Sequence, residues 1–98
     1  MATAAVPSKT AADTAYTFTL AAGATAQIFC VPNLGPREYV QLERSITTGA
    51  ADYNNEVRDA DGEPLLTEGK NNAIVTGPGY FRINKPVTDK ATAIYIDL

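Results

Sequence analysis

The sequence predicts an all-β domain, either a sandwich or a barrel, on three observations. About eight short segments rich in β-branched and aromatic residues recur at spacings of about eight to twelve residues. No window of ten or more residues carries the 3.6-residue apolar period of an amphipathic helix. A chain of 98 residues is long enough for one modest core and too short for two domains.

Alternation of apolar and polar residues predicts the first strands. Residues 14–20 place two aromatic residues and a leucine on one face, and Gly23 in the following turn is suited to a positive φ. Residues 26–31 are apolar on both faces apart from one glutamine, which indicates a central strand. Residues 39–47 alternate again, with Arg44 standing in the apolar series. These segments supply much of the predicted core.

The second half of the chain contains the clearest breaks. Asp61-Gly62 is the strongest hairpin signal, between a weak strand at 56–59 and a returning segment at 64–67. The runs 73–76 and 80–84 are separated by Gly-Pro-Gly, which no helix can cross, and they predict a hairpin or a tight strand corner. Residues 93–98 form an apolar last strand that must be paired in a sheet.

Residues 1–13 predict a flexible arm in front of a β-sandwich domain at 14–98. The segment consists of small and polar residues, and Val6 is its only large apolar residue after the initial methionine. Such an arm is either a frayed terminus or an extended segment that orders against a neighbouring subunit. In the second case, its deletion weakens binding and leaves the melting temperature of the fold nearly unchanged.

Composition excludes several classes of function. A net charge of −3 with eight scattered basic residues argues against nucleic acid and anionic membranes as partners, and no apolar stretch approaches the length of a membrane span. We expect no signal peptide and synthesis in a reducing compartment. The chain has no histidine, so we expect no enzyme and assign no catalytic residue.

No residue pattern identifies a cofactor or a metal. Cys30, the single cysteine, lies in an apolar run and is expected to be a small buried hydrophobe rather than a reactive thiol. Residues 59–63 contain only fragments of a calcium-binding loop, and a plain hairpin turn explains them. We therefore predict no cofactor-binding and no metal-binding residues.

Two surface features indicate binding, each with an ordinary alternative. Tyr39, Tyr80 and Tyr53 are suited to stacking on sugars or to an interface, and equally to packing within the fold. Residues 52–68 hold six acidic residues and one basic residue, whereas residues 70–90 hold four basic residues and one acidic residue. This asymmetry fits head-to-tail pairing in a cyclic oligomer, or simply a solvated surface.

The C-terminal half resembles a known family. The pattern Asp59-x-x-Gly62-x-x-Leu65, the segment VTGPGYFR at 75–82 and the closing AIYI at 93–96 are similar to the capsid decoration, or cement, proteins of tailed bacteriophages. The resemblance implies a jelly-roll-like antiparallel sandwich that oligomerises, often as a homotrimer. It also implies a structural protein on the outer capsid surface of the virion, made in the cytoplasm of the host bacterium.

The same resemblance implies where the partner, the phage major capsid protein, is bound. The N-terminal arm, with Val6 and Lys9, would clamp the capsid, and Arg37, Tyr53 and Arg82 would contact it. The alternative function is a carbohydrate- or receptor-binding β-module of a phage fibre or tail, in which exposed tyrosines and carboxylates bind sugar.

Overall fold

Nine β-strands and no helix make up the part of the chain that the computed structural model describes, residues 2–45, 53, 55–58 and 61–98. The strands are β1 (Ala2–Lys9), β2 (Thr17–Leu20), β3 (Thr25–Val31), β4 (Tyr39–Ser45), β5 (Asn55–Val57), β6 (Leu66–Thr67), β7 (Asn72–Thr76), β8 (Gly79–Asn84) and β9 (Thr92–Asp97). The predicted all-β, single-domain sandwich is confirmed.

The strands form two antiparallel sheets with a jelly-roll order. The four-stranded sheet has the order β1-β9-β3-β7, and the five-stranded sheet has the order β2-β8-β4-β5 with β6 also paired to β4. Apart from β4, β5 and β6, which stay together, consecutive strands alternate between the two sheets. This alternation produces the two Greek keys of a jelly roll.

One hydrophobic core lies between the sheets. Phe18 of β2 stacks on Phe81 of β8 with ring centroids 5.2 Å apart. Cys30 is buried in this core, as predicted, and burial raises the pKa of its thiol. The core cluster comprises Val6, Phe18, Leu20, Ala26, Ile28, Cys30, Leu34, Val40, Leu42, Leu65, Leu66, Val75, Phe81, Ile83, Ile94 and Ile96. Its residues come from strands of both sheets. Because side chains alternate along a strand, the residues between them lie on the outer faces of the two sheets.

The N-terminal segment differs from the predicted flexible arm. Residues 2–9 form β1, which pairs antiparallel with β9 and places Val6 opposite Ile94. The side chain of Val6 is 0% exposed. Its burial, together with a backbone ladder that small residues can make as well as large ones, supplies the ordering free energy that the composition seemed to lack.

The Gly-Pro-Gly segment was predicted to be either a hairpin or a tight strand corner, and it is a corner between the two sheets. β7 belongs to the four-stranded sheet and β8 to the five-stranded sheet, so they do not form a hairpin. A Cβ atom on Gly77 would collide with the backbone carbonyl of Ala21, and one on Gly79 would lie 2.8 Å from Nε of Arg44. Only glycine fits the approach at Gly77, whereas at Gly79 the side chain of Arg44 would have to shift.

The remaining strand predictions are confirmed in part. Gly23 and Gly62 have φ angles of 80° and 79°, and the Asp61-Gly62 turn is closed by a bridge between Arg58 and Pro64. β3 is central, between β9 and β7, but only one of its faces is buried. The other face lies on the outside of the sandwich, which leads to the candidate site.

Candidate binding surface

The outer face of the four-stranded sheet carries several exposed apolar side chains among polar ones. Val31 on β3 and Ile74 on β7 are 52% and 68% exposed. Between them, the half-buried rings of Phe29 and Tyr95 stack with centroids 5.5 Å apart and an interplanar angle of 16°. Strand alternation puts these side chains outside because Ile28, Cys30 and their cross-strand partners fill the inside.

The strand register brings most of these side chains together, with the polar Gln27 directly opposite Ile74. Phe29 lies opposite Tyr95, and Tyr95 lies opposite the exposed Ala4 of β1. Val31 is the next outward residue along β3, and Ile74 is diagonal to Phe29 across the β3–β7 pair. We call Ala4, Phe29, Val31, Ile74 and Tyr95 the apolar face. Exposed apolar residues that occur singly need no explanation, but a contiguous group on one sheet is typical of a surface that is covered on binding.

The outer face of the five-stranded sheet is polar, and its side chains bind one another. Nε of Arg82 is 2.9 Å from Oε1 of Glu43. Gln41 donates to Glu56 at 3.3 Å and accepts from Asn84 at 3.4 Å. We call these five residues the polar face. Because its groups already have partners, this face gains little from being covered.

Two of the predicted partner-binding residues are inside the fold. Val6 is in the core, and Tyr53 is buried beneath Arg82, whose guanidinium carbon is 5.1 Å from the tyrosine ring centroid. Neither side chain offers a surface to a partner, so the predicted contacts through them do not fit the structure. The apolar run around Val6 was too short to reveal its burial, whereas packing within the fold was one of the two interpretations stated for Tyr53.

The other three predicted contacts are exposed or partly exposed and lie on three different elements of the fold. Lys9 forms an ion pair with Asp13, and Arg82 belongs to the polar face. Arg37 is exposed in the loop before β4, with a φ of 65°. The structure does not bring these residues together into one site. Their roles in binding stay predictions.

Sequence reasoning missed the apolar face because residues 26–31 seemed to be buried on both sides. A signal for it was present in the last strand. With Ile94 and Ile96 on one face, Tyr95 must point the other way, and its pairing with β3 would then place it beside Phe29. The pairing of β9 with β3 was the missing information.

An open cleft of about 780 Å³ lies along β7, beside the corner between the sheets. Val57, Leu65 and Val75 are among its apolar lining residues. At its rim, Arg44 donates to the carbonyl of Pro78 at 2.8 Å, and Arg58 donates to the carbonyl of Gly62 at 2.7 Å. Among the described residues, no group of three potential ligands could hold a metal ion. Asp59 of the predicted turn lies outside the described residues.

A fully buried lysine, Lys85, connects two loops at one end of the sandwich by hydrogen bonds. Nζ of Lys85 donates to the carbonyls of Ala11 and Pro86, both at 2.9 Å, and to the hydroxyl of Thr88 at 3.3 Å. Burial lowers the pKa of its ammonium group. Residues 10–16 and 85–91 are connections between the two sheets, so these bonds join the two crossings and have a structural role.

Comparisons with known proteins place no further residue in a site. No family model matches the chain, and neither a curated protein nor a solved structure is significantly similar to it. None of the described residues belongs to a helix long and apolar enough to span a membrane. The candidate site therefore rests on the geometry of the apolar face alone.

Proposed function

We propose that this protein is a structural virion protein that binds the outer surface of a phage capsid and stabilises the shell. The observation that supports the proposal best is the contrast between an apolar outer face with exposed Val31 and Ile74 and a polar outer face whose groups are already paired. A domain of this kind has one surface that gains from being covered. The resemblance of its C-terminal half to decoration proteins supplies the partner, the phage major capsid protein.

The proposed mechanism is attachment over a surface rather than binding in a pocket. Stacked Phe29 and Tyr95 form a rigid centre of large side chains, and residues of this kind carry much of the energy at protein interfaces. Val31 and Ile74 extend the contact on either side. A small interface on each copy suffices where copies are joined in an oligomer, because linked binding sites gain avidity.

The test compares two variants on purified phage particles. Val31→Asp introduces a charge into the apolar face, and Thr19→Asp introduces the same charge at an exposed position of β2 in the other sheet. We expect Val31→Asp to reduce the number of copies bound per particle at least ten-fold and Thr19→Asp to bind like the wild type. Both variants should melt close to the wild type, since both positions are exposed.

Quantitative mass spectrometry of gradient-purified particles measures the outcome. Tens to hundreds of wild-type copies per particle support decoration. Absence of the protein from particles, or equal binding of Val31→Asp and the wild type, contradicts the proposal. A few copies per particle would indicate a component of a fibre or tail instead.

A second candidate function is carbohydrate binding, and one depression favours it. Tyr39 is 42% exposed at a shallow pocket of about 360 Å³ whose lining includes Arg37, Glu63 and Glu68. An exposed tyrosine beside charged hydrogen-bonding groups is suited to stacking on a sugar ring. Glycan binding by the isolated protein that is lost in Tyr39→Ala and kept in Val31→Asp would support this alternative over capsid binding.

A further inference from the structure

Within the described residues, the edge strand β7 lacks the protection that sheet edges normally have. An edge strand presents a row of unpaired backbone groups, and proteins shield such edges with charged residues, prolines, bulges or short strands. β7 spans Asn72–Thr76 and contains neither a charged residue nor a proline. The side chain of its central residue, Ile74, is 68% exposed.

The other outermost strands of the described sheets are protected. β1 contains Pro7 and Lys9 and has two irregularities in its register with β9. β5 is three residues long and carries Glu56, which is 2.7 Å from the guanidinium of Arg58. β2 has only four residues, and β6, which pairs only with β4, has two. The contrast singles out β7.

Two hydrogen bonds show which backbone groups of β7 face away from β3. The amide of Cys30 donates to the carbonyl of Asn71 at 3.0 Å, and the amide of Gly77 donates to the carbonyl of Ala24 at 2.8 Å. With the β3–β7 register, these bonds direct the backbone groups of the odd-numbered residues toward β3. The amides and carbonyls of Asn72, Ile74 and Thr76 therefore point away from the sheet. Within the described part of the chain, β3 is the only strand that pairs with β7.

We propose that two copies of this chain pair through β7, antiparallel, about a twofold axis at Ile74. The free groups at 72, 74 and 76 are spaced symmetrically about Ile74, so the edge is complementary to itself. Each Ile74 would exchange both backbone hydrogen bonds with the Ile74 of the second copy, and Asn72 would pair with the second copy's Thr76. No charges oppose one another along the strand.

The surroundings of β7 suit this arrangement. The cleft of about 780 Å³ follows the strand from Asn72 to Thr76, which leaves room at the free edge. Pairing joins two four-stranded sheets into one sheet of eight strands and brings the two exposed Ile74 side chains side by side on a continuous apolar face. This inference concerns the isolated protein and does not depend on the proposed capsid binding.

The proposed pair differs in symmetry from a homotrimer. A trimer requires head-to-tail contacts between two different surfaces, whereas β7 pairing uses the same strand twice and closes as a dimer. A trimer that leaves β7 free would therefore contradict the inference, even though it is also an oligomer.

The first test uses cysteine cross-linking, which depends on register. In the proposed pair the two Ile74 Cα atoms are about 5.5 Å apart, within reach of a disulfide. The two Thr76 Cα atoms are separated by roughly 13 Å along the strands, beyond its reach. We expect mild oxidation to convert most Ile74→Cys protein to covalent dimer and less than a tenth of Thr76→Cys. Equal cross-linking of the two variants would overturn the proposal, and so would none in either.

The second test follows amide hydrogen exchange in the wild type at increasing protein concentration. The amides of Ala73 and Val75, which face β3, should be protected at all concentrations. Those of Asn72, Ile74 and Thr76 should gain at least ten-fold protection as the dimer forms in analytical ultracentrifugation. An oligomer in which these three amides exchange freely would contradict β7 pairing, and so would a chain that stays monomeric at millimolar concentration.

Two lysine variants complete this test. Ile74→Lys places a charge at the proposed axis and should remain monomeric. Val87→Lys changes a residue of similar exposure, 71%, in the connection before β9, and should dimerise like the wild type. Dimerisation of Ile74→Lys at wild-type concentrations would count against the proposed axis.

Discussion

The two outer faces of this sandwich, one on each antiparallel sheet, differ in the chemistry of their central side chains. On the five-stranded sheet, Arg82, Glu43 and Gln41 are joined in a network of hydrogen bonds and an ion pair. On the four-stranded sheet, the corresponding positions hold stacked aromatic rings flanked by exposed aliphatic side chains. A polar network competes well with water, whereas exposed apolar area is stabilised only when something covers it.

This difference indicates that the stability of the domain and its binding depend on different surfaces. The inner faces and the polar face stabilise the fold, and the apolar face remains available for association. Changes on the two sides should therefore separate into those that alter unfolding and those that alter binding. Three predictions test that separation, beginning with the one of largest expected effect.

Deletion of residues 1–9 should severely destabilise the four-stranded sheet. It removes Val6 from the core and leaves β9 as an edge with the flanks of Ile94 and Ile96 uncovered. We expect the free energy of unfolding to fall by roughly 5 kcal/mol, which approaches the entire stability of a small domain. Denaturant unfolding measures this loss.

The matched control for the deletion replaces only exposed residues of β1. Thr3→Ser leaves the strand and Val6 in place and should unfold within about 0.5 kcal/mol of the wild type. If the deletion variant also keeps wild-type stability, residues 2–9 behave as the arm that the composition suggested.

Replacement of Lys85 by methionine should have an intermediate effect that depends on pH. The carbonyls of Ala11 and Pro86 lose their shared donor, which costs about 1–3 kcal/mol. In the wild type, burial lowers the pKa of Lys85 below its ordinary value of 10.5, so between the two values the unfolded chain binds more protons. The destabilisation due to the buried charge is therefore full below the lowered pKa and is relieved as pH rises toward 10.5.

Thermal or denaturant unfolding between pH 7 and 10.5 measures that relief. Wild-type stability should rise relative to Lys85→Met over the upper part of this range. Lys90→Met, which changes an exposed lysine of the same connection, should keep the wild-type profile. Parallel profiles for wild type and Lys85→Met would mean that Lys85 has the same pKa in the folded and unfolded chains.

The smallest effect is expected from the ion pair on the polar face. Arg82 and Glu43 are partly exposed, so solvent screens their attraction and their coupling in a double-mutant cycle should be about 0.5–1 kcal/mol. The coupling should decrease when salt is added. Capsid binding should be unchanged in the Glu43 variant. A marked loss of binding in the Arg82 variant would support the predicted contact of Arg82 with the capsid and would show that binding is not confined to the apolar face.

Much of the fold follows from local patterns in the sequence. Alternation identified β2 and β4, and Gly23 and Gly62 lie where positive φ angles were expected. The corner at Gly77 was one of two predicted forms, because a break between two strands does not say whether they share a sheet. That depends on partners distant in sequence.

The features that local patterns missed all depend on long-range pairing. β1 has one large apolar residue, and it becomes a strand only because β9 supplies a ladder and the core supplies a site for Val6. The apolar face likewise exists only once β3 and β9 are neighbours, which places Phe29 beside Tyr95. The candidate site was therefore harder to predict than the fold that carries it.

The pairing of the first strand with the last also decides how this domain can be joined to other chains. Ala2 lies opposite Asp97, so the two ends of the domain leave the same corner about 5 Å apart. A short linker could close the chain into a ring, with new ends opened at the exposed Asp61-Gly62 turn. The domain is equally suited to insertion as a unit into a surface loop of a host protein, because it would hardly separate the ends of that loop.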